Sequence, residues 1–193
     1  EGLLDRYLAA AEIIGAAPLL VVNKADLLDE GGRYTMSERL KNFQDIGYPL
    51  LYTSSRTTDG MKDPHERLRG MTSILVGQSG VGKSSLTQTL LPELDIRIGA
   101  LSEATGLGCH TTTVASLYHL PDGGDLIDSA GVRDFNLWTR EPGDVSHGFR
   151  EFAPYLGQCK FNNCRHVSEP GCAVSDAARE GRIQNRRLES YRN

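Results

Sequence analysis

Gly77-Gln78-Ser79-Gly80-Val81-Gly82-Lys83-Ser84 fits G-x-x-x-x-G-K-[ST], and no other segment narrows the possible folds as far. Its three glycines permit a tight backbone whose N–H groups converge on phosphate oxygens. A helix over Lys83–Leu91 is expected to follow, and its N-terminus adds the positive end of the helix dipole. The apolar run Ser73-Ile74-Leu75-Val76 in front reads as a strand. In such a loop the Lys, here Lys83, reaches the β- and γ-phosphates, and the Ser84 hydroxyl is the Mg²⁺ ligand. Gln78, Ser79, Val81 and Ser85 complete the stretch that lies along the nucleotide.

The remaining pattern alternates strands with helices. Leu3, Leu4, Tyr7, Leu8, Ala11 and Ile14 recur at helical spacing up to Gly15. Leu19–Val22 reads as a buried parallel strand, and Thr35 with Glu38 resembles a capping box opening a helix that reaches about Gly47. Pro49–Thr53, Val114–Leu120 and Leu126-Ile127 read as further strands, with a helix near 60–70. The fold class is therefore α/β with a mainly parallel sheet. Hydrophobic residues make up 39% and charged residues 24%, as in a soluble globular chain, and no run of 18 apolar residues exists to span a bilayer.

Two further loops sit at strand ends. Asn23-Lys24-Ala25-Asp26 fits N-K-x-D: a carboxylate accepts hydrogen bonds from N1–H and N2–H₂ of guanine, and adenine would leave it unsatisfied. The Lys24 stem can lie over the base plane. Ser54 and Ser55, at the end of the Pro49–Thr53 strand, are candidates for a supporting loop around the base. Asp128-Ser129-Ala130-Gly131 ends the short strand 44 residues after Ser84, where a carboxylate would back the Mg²⁺ and the Gly131 N–H would meet the γ-phosphate. The residue after that loop is Val132, which cannot orient a water as the Gln of many GTPases does. A low basal rate is expected.

The order of these loops is unusual. In an ordinary G domain the phosphate loop precedes the guanine loop; here residue 23 precedes residue 77. The same sheet can be built with a cyclically shifted strand order, provided the original termini lie close together. About thirty residues then separate Asp128 from the first cysteine of the tail.

That tail differs in kind. Three of the four cysteines fall within residues 159–172 beside His166, too few for a disulfide framework. Cys159, Cys164, His166 and Cys172 form a Cys₃His set suited to one closed, structural Zn²⁺ site, and thiolate ligands suit a reducing, cytoplasmic setting. Residues 1–149 hold 13 Lys and Arg against 20 Asp and Glu, a balance of −7; residues 150–193 hold 8 against 5, a balance of +3. A basic tail on an acidic body fits contact with a polyanion such as RNA through Arg165, Arg179, Arg182, Arg186, Arg187 and Arg192. From Ser175 a polar, Arg-rich helix is predicted to run to the end.

The inverted order, the G-x-S-G-V-G-K-S-S loop, Gly108-Cys109-His110-Thr111-Thr112-Thr113 and the Cys/His tail resemble the RsgA (YjeQ) family of bacterial ribosome small-subunit-dependent GTPases, over nearly the whole chain. The resemblance implies a three-layer P-loop NTPase G domain with circularly permuted strand order over residues 1–149. It implies a mainly helical zinc-binding domain over 150–193, and an N-terminal OB-fold lying before Glu1. It implies GTP/GDP, Mg²⁺ and one Zn²⁺ as bound groups, and GTP hydrolysis stimulated by the 30S subunit late in its maturation. It also points to His110 in switch I as the residue that positions the attacking water, an imidazole role. With Lys83 and Thr112, the expected switch I Mg²⁺ ligand with Thr111 and Thr113 as its adjacent alternatives, His110 completes the candidate catalytic set. The chain departs from the family at Ala130, where Pro is usual. rRNA, with or without ribosomal proteins, is the expected partner; neither membrane nor DNA is expected, and the chain should be a monomer. Two other readings stay open on the residues alone: a P-loop ATPase or kinase with a structural zinc site, and a non-catalytic RNA-binding zinc module.

Overall fold

A computed structural model describes residues 2–57, 59–92, 116–128 and 145–193. Two compact units emerge. One gathers Glu1–Leu19, Arg39–Pro49 and Asp134–Asn193; the other gathers Leu20–Glu38 and Leu50–Arg133.

The second unit is α/β. Strands β1 (Leu20–Val22) and β2 (Leu50–Tyr52) pair in parallel. Strand β3 (Thr72–Leu75) pairs in parallel with β5 (Asp125–Asp128), and β4 (Ser116–His119) lies antiparallel on the other side of β5. Among the described residues these form two sheets, β1-β2 and β3-β5-β4. Helices α3 (Asp59–Leu68) and α4 (Lys83–Leu90) pack over them, and Met61, Leu86, Leu90, Leu91, Leu120 and Leu126 make the core. The strands are short, three or four residues each, so each serves to deliver the loop at its end.

Helix α2 (Glu30–Asp45) starts five residues before the expected Thr35. Asp29 caps it instead, its carboxylate accepting the Gly32 N–H at 2.7 Å. The Thr35 hydroxyl donates to the Gly31 carbonyl inside the helix. Gly31-Gly32 disguised the true start, because glycine is a poor helix former.

The first unit joins α1 (Gly2–Ile13), the last turns of α2 and the C-terminal segment. Instead of one helix running from Ser175 to the end, there are two: α5 (Ala173–Arg179) and α6 (Asn185–Arg192). Gly181, at φ 75°, turns the chain between them. A 3₁₀ helix, Arg150–Tyr155, precedes the cysteine loops. Ala9, Phe149, Phe152, Val174, Ala177, Ile183 and Leu188 close the core, with Phe149 and Phe152 stacked 5.0 Å apart. Against it lies a buried charge network. Arg187, fully buried, donates to Asp5 Oδ1 at 2.6 Å and to Glu151 Oε1 at 2.5 Å. Arg186 and the Ser190 hydroxyl complete the shell around Asp5. Burial alone would raise the Asp5 carboxyl, but Ser190, Arg186 and Arg187 outweigh it and hold it below the usual value.

Candidate nucleotide site and metal centre

Strand β1 ends at Val22 and hands the chain to Asn23-Lys24-Ala25-Asp26; β3 ends at Leu75 and hands it to the Gly77–Gly82 loop. Both loops belong to the same unit, and side chains join them. The Asn23 amide donates to the Val81 carbonyl at 3.0 Å and faces that of Gly82 at 3.5 Å. The Lys24 ammonium donates to the Gly80 carbonyl at 2.9 Å. Lys24 takes φ 60°, a left-handed backbone rare outside glycine, and this turn sends Asn23 and Lys24 toward the phosphate loop.

Room for this bridge depends on Gly82. A Cβ there would lie 2.4 Å from Asn23 Nδ2, and the residue sits at φ 93°. Helix α4 starts immediately after, with the Gly82 carbonyl accepting the Leu86 N–H. The Lys83 ammonium folds back over the loop, donating to the carbonyls of Gly77 at 2.7 Å and Gln78 at 3.0 Å. Ser84 and Ser85 occupy the first turn of α4, the position from which a hydroxyl reaches a metal on the phosphates.

Asp26 is held from the β2 side. The Ser54 hydroxyl donates to Asp26 Oδ1 at 2.6 Å and accepts the Arg56 N–H at 3.2 Å. The Ser54 hydrogen bond lowers the Asp26 carboxyl below its ordinary value, and Arg56, 3.9 Å away, adds to this. The carboxylate therefore stays ionised and acceptor-only, as a partner of two N–H donors must. The Thr53 hydroxyl donates to Asn23 Oδ1 at 3.3 Å, and the Ala25 N–H to the Thr53 carbonyl at 2.9 Å. Sequence reading expected Ser54 and Ser55 in the supporting loop, of which Ser54 bonds Asp26, and did not single out Arg56, because nothing in its spacing marks a guanidinium that lies against Asp26.

Asp128 is the last residue of β5, its backbone level with Leu75 at the mouth of the phosphate loop. His110, Thr112 and Gly131 lie outside the described residues.

The tail brings Cys159, Cys164, His166 and Cys172 together, with one ligand atom from each within 4.8 Å of the others. The His166 Nδ1 lies 3.5 Å from Cys159 Sγ and 3.4 Å from Cys172 Sγ, and the two sulfurs are 4.0 Å apart. A tetrahedral zinc with its usual bond lengths sets nitrogen–sulfur edges at about 3.5 Å and sulfur–sulfur edges at about 3.8 Å. The donor set fits. His166 sits at φ 59°, its carbonyl accepting from Arg192 Nε at 3.0 Å. Burial pushes the Cys164 thiol up to about 12 and the His166 imidazole down. A cation among the sulfurs reverses the cost of a thiolate there. Glu169, which the sequence did not single out, accepts the N–H groups of Arg165, Val167 and Ser168, and these bonds pull its carboxyl down to about 2.

Two strand-end loops joined by side-chain hydrogen bonds, one carrying N-K-x-D and one carrying G-x-x-x-x-G-K-S in inverted order, define a permuted P-loop GTPase fold. The chain belongs to the RsgA GTPase family, whose sequence model matches residues 1–138. It is 54% identical over 190 residues to the small ribosomal subunit biogenesis GTPase RsgA of Ectopseudomonas mendocina (strain ymp), and 51% over 189 residues to RsgA 1 of Vibrio vulnificus (strain YJ016). Each alignment covers 98% of this chain and 55% or 54% of the relative, so the chain spans about half the length of these relatives. Among solved structures it is similar to YjeQ from Thermotoga maritima, with TM-score 0.78 and 34% identity over 98% of this chain and 63% of that one. It is also similar to YloQ, a circularly permuted GTPase, with TM-score 0.75 and 28% identity over 98% and 60%.

Proposed function

We propose that the protein containing this chain hydrolyses GTP to GDP and phosphate, and does so in the maturation of the small ribosomal subunit. The observation that carries the reading is the pair of hydrogen bonds from Asn23 and Lys24 to the carbonyls of Val81 and Gly80. They support one nucleotide held at its base by Asp26 and at its phosphates by Gly77–Ser85. Asp26 accepts from the guanine edge while Ser54 fixes its second oxygen's bearing, and Ser55 backs the base loop. The P-loop N–H groups and Lys83 neutralise the β- and γ-phosphates, where charge grows in phosphoryl transfer. Ser84, Thr112 and Asp128 would hold the Mg²⁺ that shields the same oxygens, and the Gly131 N–H would sense the γ-phosphate. His110 would position the water that Val132 cannot. In domain terms, residues 1–149 act as the permuted GTPase domain and 150–193 as the zinc-binding domain.

Cys159, Cys164, His166 and Cys172 would hold one structural Zn²⁺, with no position left for substrate. The partner is the 30S subunit, met through rRNA by the basic tail, in the cytoplasm, by a monomer. Among the described residues no helix is long and apolar enough to cross a membrane.

The decisive assay measures GTP hydrolysis with and without purified 30S subunits, on this chain and on one extended N-terminally. Stimulation by 30S that disappears in Lys83→Ala supports the proposal; an extended chain indifferent to 30S sinks its ribosomal half. Asp26→Asn should weaken GTP by more than tenfold and improve binding of xanthosine nucleotides, read by titration with fluorescent analogues. Equal affinity for ATP and GTP in the parent chain would overturn the base assignment. His110→Ala should abolish the stimulated rate and leave nucleotide affinity intact.

A further inference from the structure

The loops between the metal ligands present an unusual outer surface. Phe161 is 42% exposed and Val167 48% exposed, although the ends of both loops are drawn together where the four ligand atoms meet. Lys160, Asn162, Asn163 and Arg165 are exposed around them. These loops are not slack. The Lys160 N–H donates to the Gly171 carbonyl at 2.9 Å, and the Cys164 N–H to that of Phe161 at 3.2 Å. The Tyr191 hydroxyl donates to the Arg165 carbonyl at 2.7 Å. The Lys160 ammonium stands over one face of the Phe161 ring, 5.6 Å from its centre.

Charge on this surface is mainly positive, Lys160 and Arg165 against Glu169. Glu169 is the only acid between residues 157 and 175, and its carboxylate accepts the backbone N–H groups of Arg165, Val167 and Ser168. Elsewhere in the tail, Arg179 pairs with Asp176, Arg182 with Glu180, and Arg186 and Arg187 with Asp5. Among the described residues Lys160 and Arg165 have no carboxylate partner. Two cations without a carboxylate partner, a partly exposed aromatic ring and two amide side chains are the parts of a single-stranded nucleic-acid platform, in which a base stacks on the ring, cations follow the phosphates and amides meet base edges. A carboxylate-rich protein would satisfy the cations but would leave the ring in water.

We infer that Phe161, flanked by Lys160 and Arg165 on the metal-tied loops, is the stacking platform for an unpaired RNA base. The inference rests on the ribosomal reading for the source of the RNA; it needs nothing from GTP hydrolysis. Preorganised loops suit this task, because ordering costs are met by the metal before the base arrives.

The test uses the zinc-loaded chain and a fluorescently labelled single-stranded RNA dodecamer, followed by anisotropy across a salt series. The parent chain should bind, and Phe161→Ala should weaken binding about 5- to 100-fold, the loss of one stacked base. Lys160→Ala and Arg165→Ala should each lower the slope of log K against log salt by about 0.7. Phe161→Trp should keep the affinity and show fluorescence quenching by RNA beyond that of the parent, whose single indole is Trp138. Metal content and circular dichroism confirm that each variant is folded; should Phe161→Ala fail this check, the Trp variant decides alone. Unchanged affinity in Phe161→Ala, no extra quenching in Phe161→Trp, equal binding of a duplex, or a poly-glutamate peptide that depends on Phe161 as RNA does would each overturn the proposal. The same preparations are assayed for GTP hydrolysis, which these substitutions should leave unchanged. RNA binding without GTP turnover would sink the enzymatic reading alone, and turnover without RNA binding would sink the platform alone.

Discussion

At the scale of single residues, Gly82 answers to several demands at once. It needs a left-handed backbone, it opens α4, and it leaves the space through which the Asn23 amide reaches the phosphate loop. Gly82→Ala would place a Cβ where that amide already is, on top of backbone strain of about 1–3 kcal/mol. The expected outcome is a lower unfolding temperature together with a loss of nucleotide affinity, read by calorimetry and nucleotide titration. A variant indistinguishable from the parent in both would show that the bridge is not needed. The Gly and Lys of this motif were legible in the sequence, since their conformational and charge demands are local. The Asn23 bridge was not, because 58 residues separate donor and acceptor.

At the scale of elements, the buried charges on α1, the Arg150–Tyr155 helix and α6 decide how those segments pack. Arg187→Met would leave Asp5 and Glu151 without their central cation, and unpaired buried charge costs about 3–5 kcal/mol. Denaturant unfolding should show that loss, and an added Asp5→Leu should recover part of it. If the single variant is as stable as the parent, the network is not what joins these elements. The pH dependence follows from Asp5. Its carboxyl is lower in the folded chain than the ordinary 3.8, so its contribution is complete above about 4 and fades as pH falls through the folded value. The stability gap between parent and Asp5→Asn should therefore be constant from pH 5 to 8 and narrow below pH 4. Helix limits follow the same division between local and distant causes. The spacing of Leu3 to Ile14 marked α1 correctly. The Thr35–Glu38 pair misled at α2 because Asp29 had already supplied the cap. The tail reads as one helix until Gly181 divides it.

At the scale of the whole molecule, the zinc-ligand tail has little apolar core of its own between residues 157 and 171, so bound metal should supply much of its order. Chelation should release one metal per chain and raise hydrogen exchange through residues 159–172, while β3, β5 and α4 stay protected. Uniform loss of protection would mean that the metal stabilises the entire chain, and no change at all would remove the metal from the argument. Composition and spacing alone determined the G-x-x-x-x-G-K-[ST] and N-K-x-D motifs, their inverted order and the Cys₃His set, because each is a local pattern of a few neighbouring residues. Only the tertiary structure decided that Lys24 and Asn23 close onto Gly80, Val81 and Gly82, that Ser54 and Arg56 steady Asp26, and that Arg187 is buried between two acids. Those are contacts between residues far apart in the chain, fixed by how strands pair and helices pack, and no short window of sequence contains both partners.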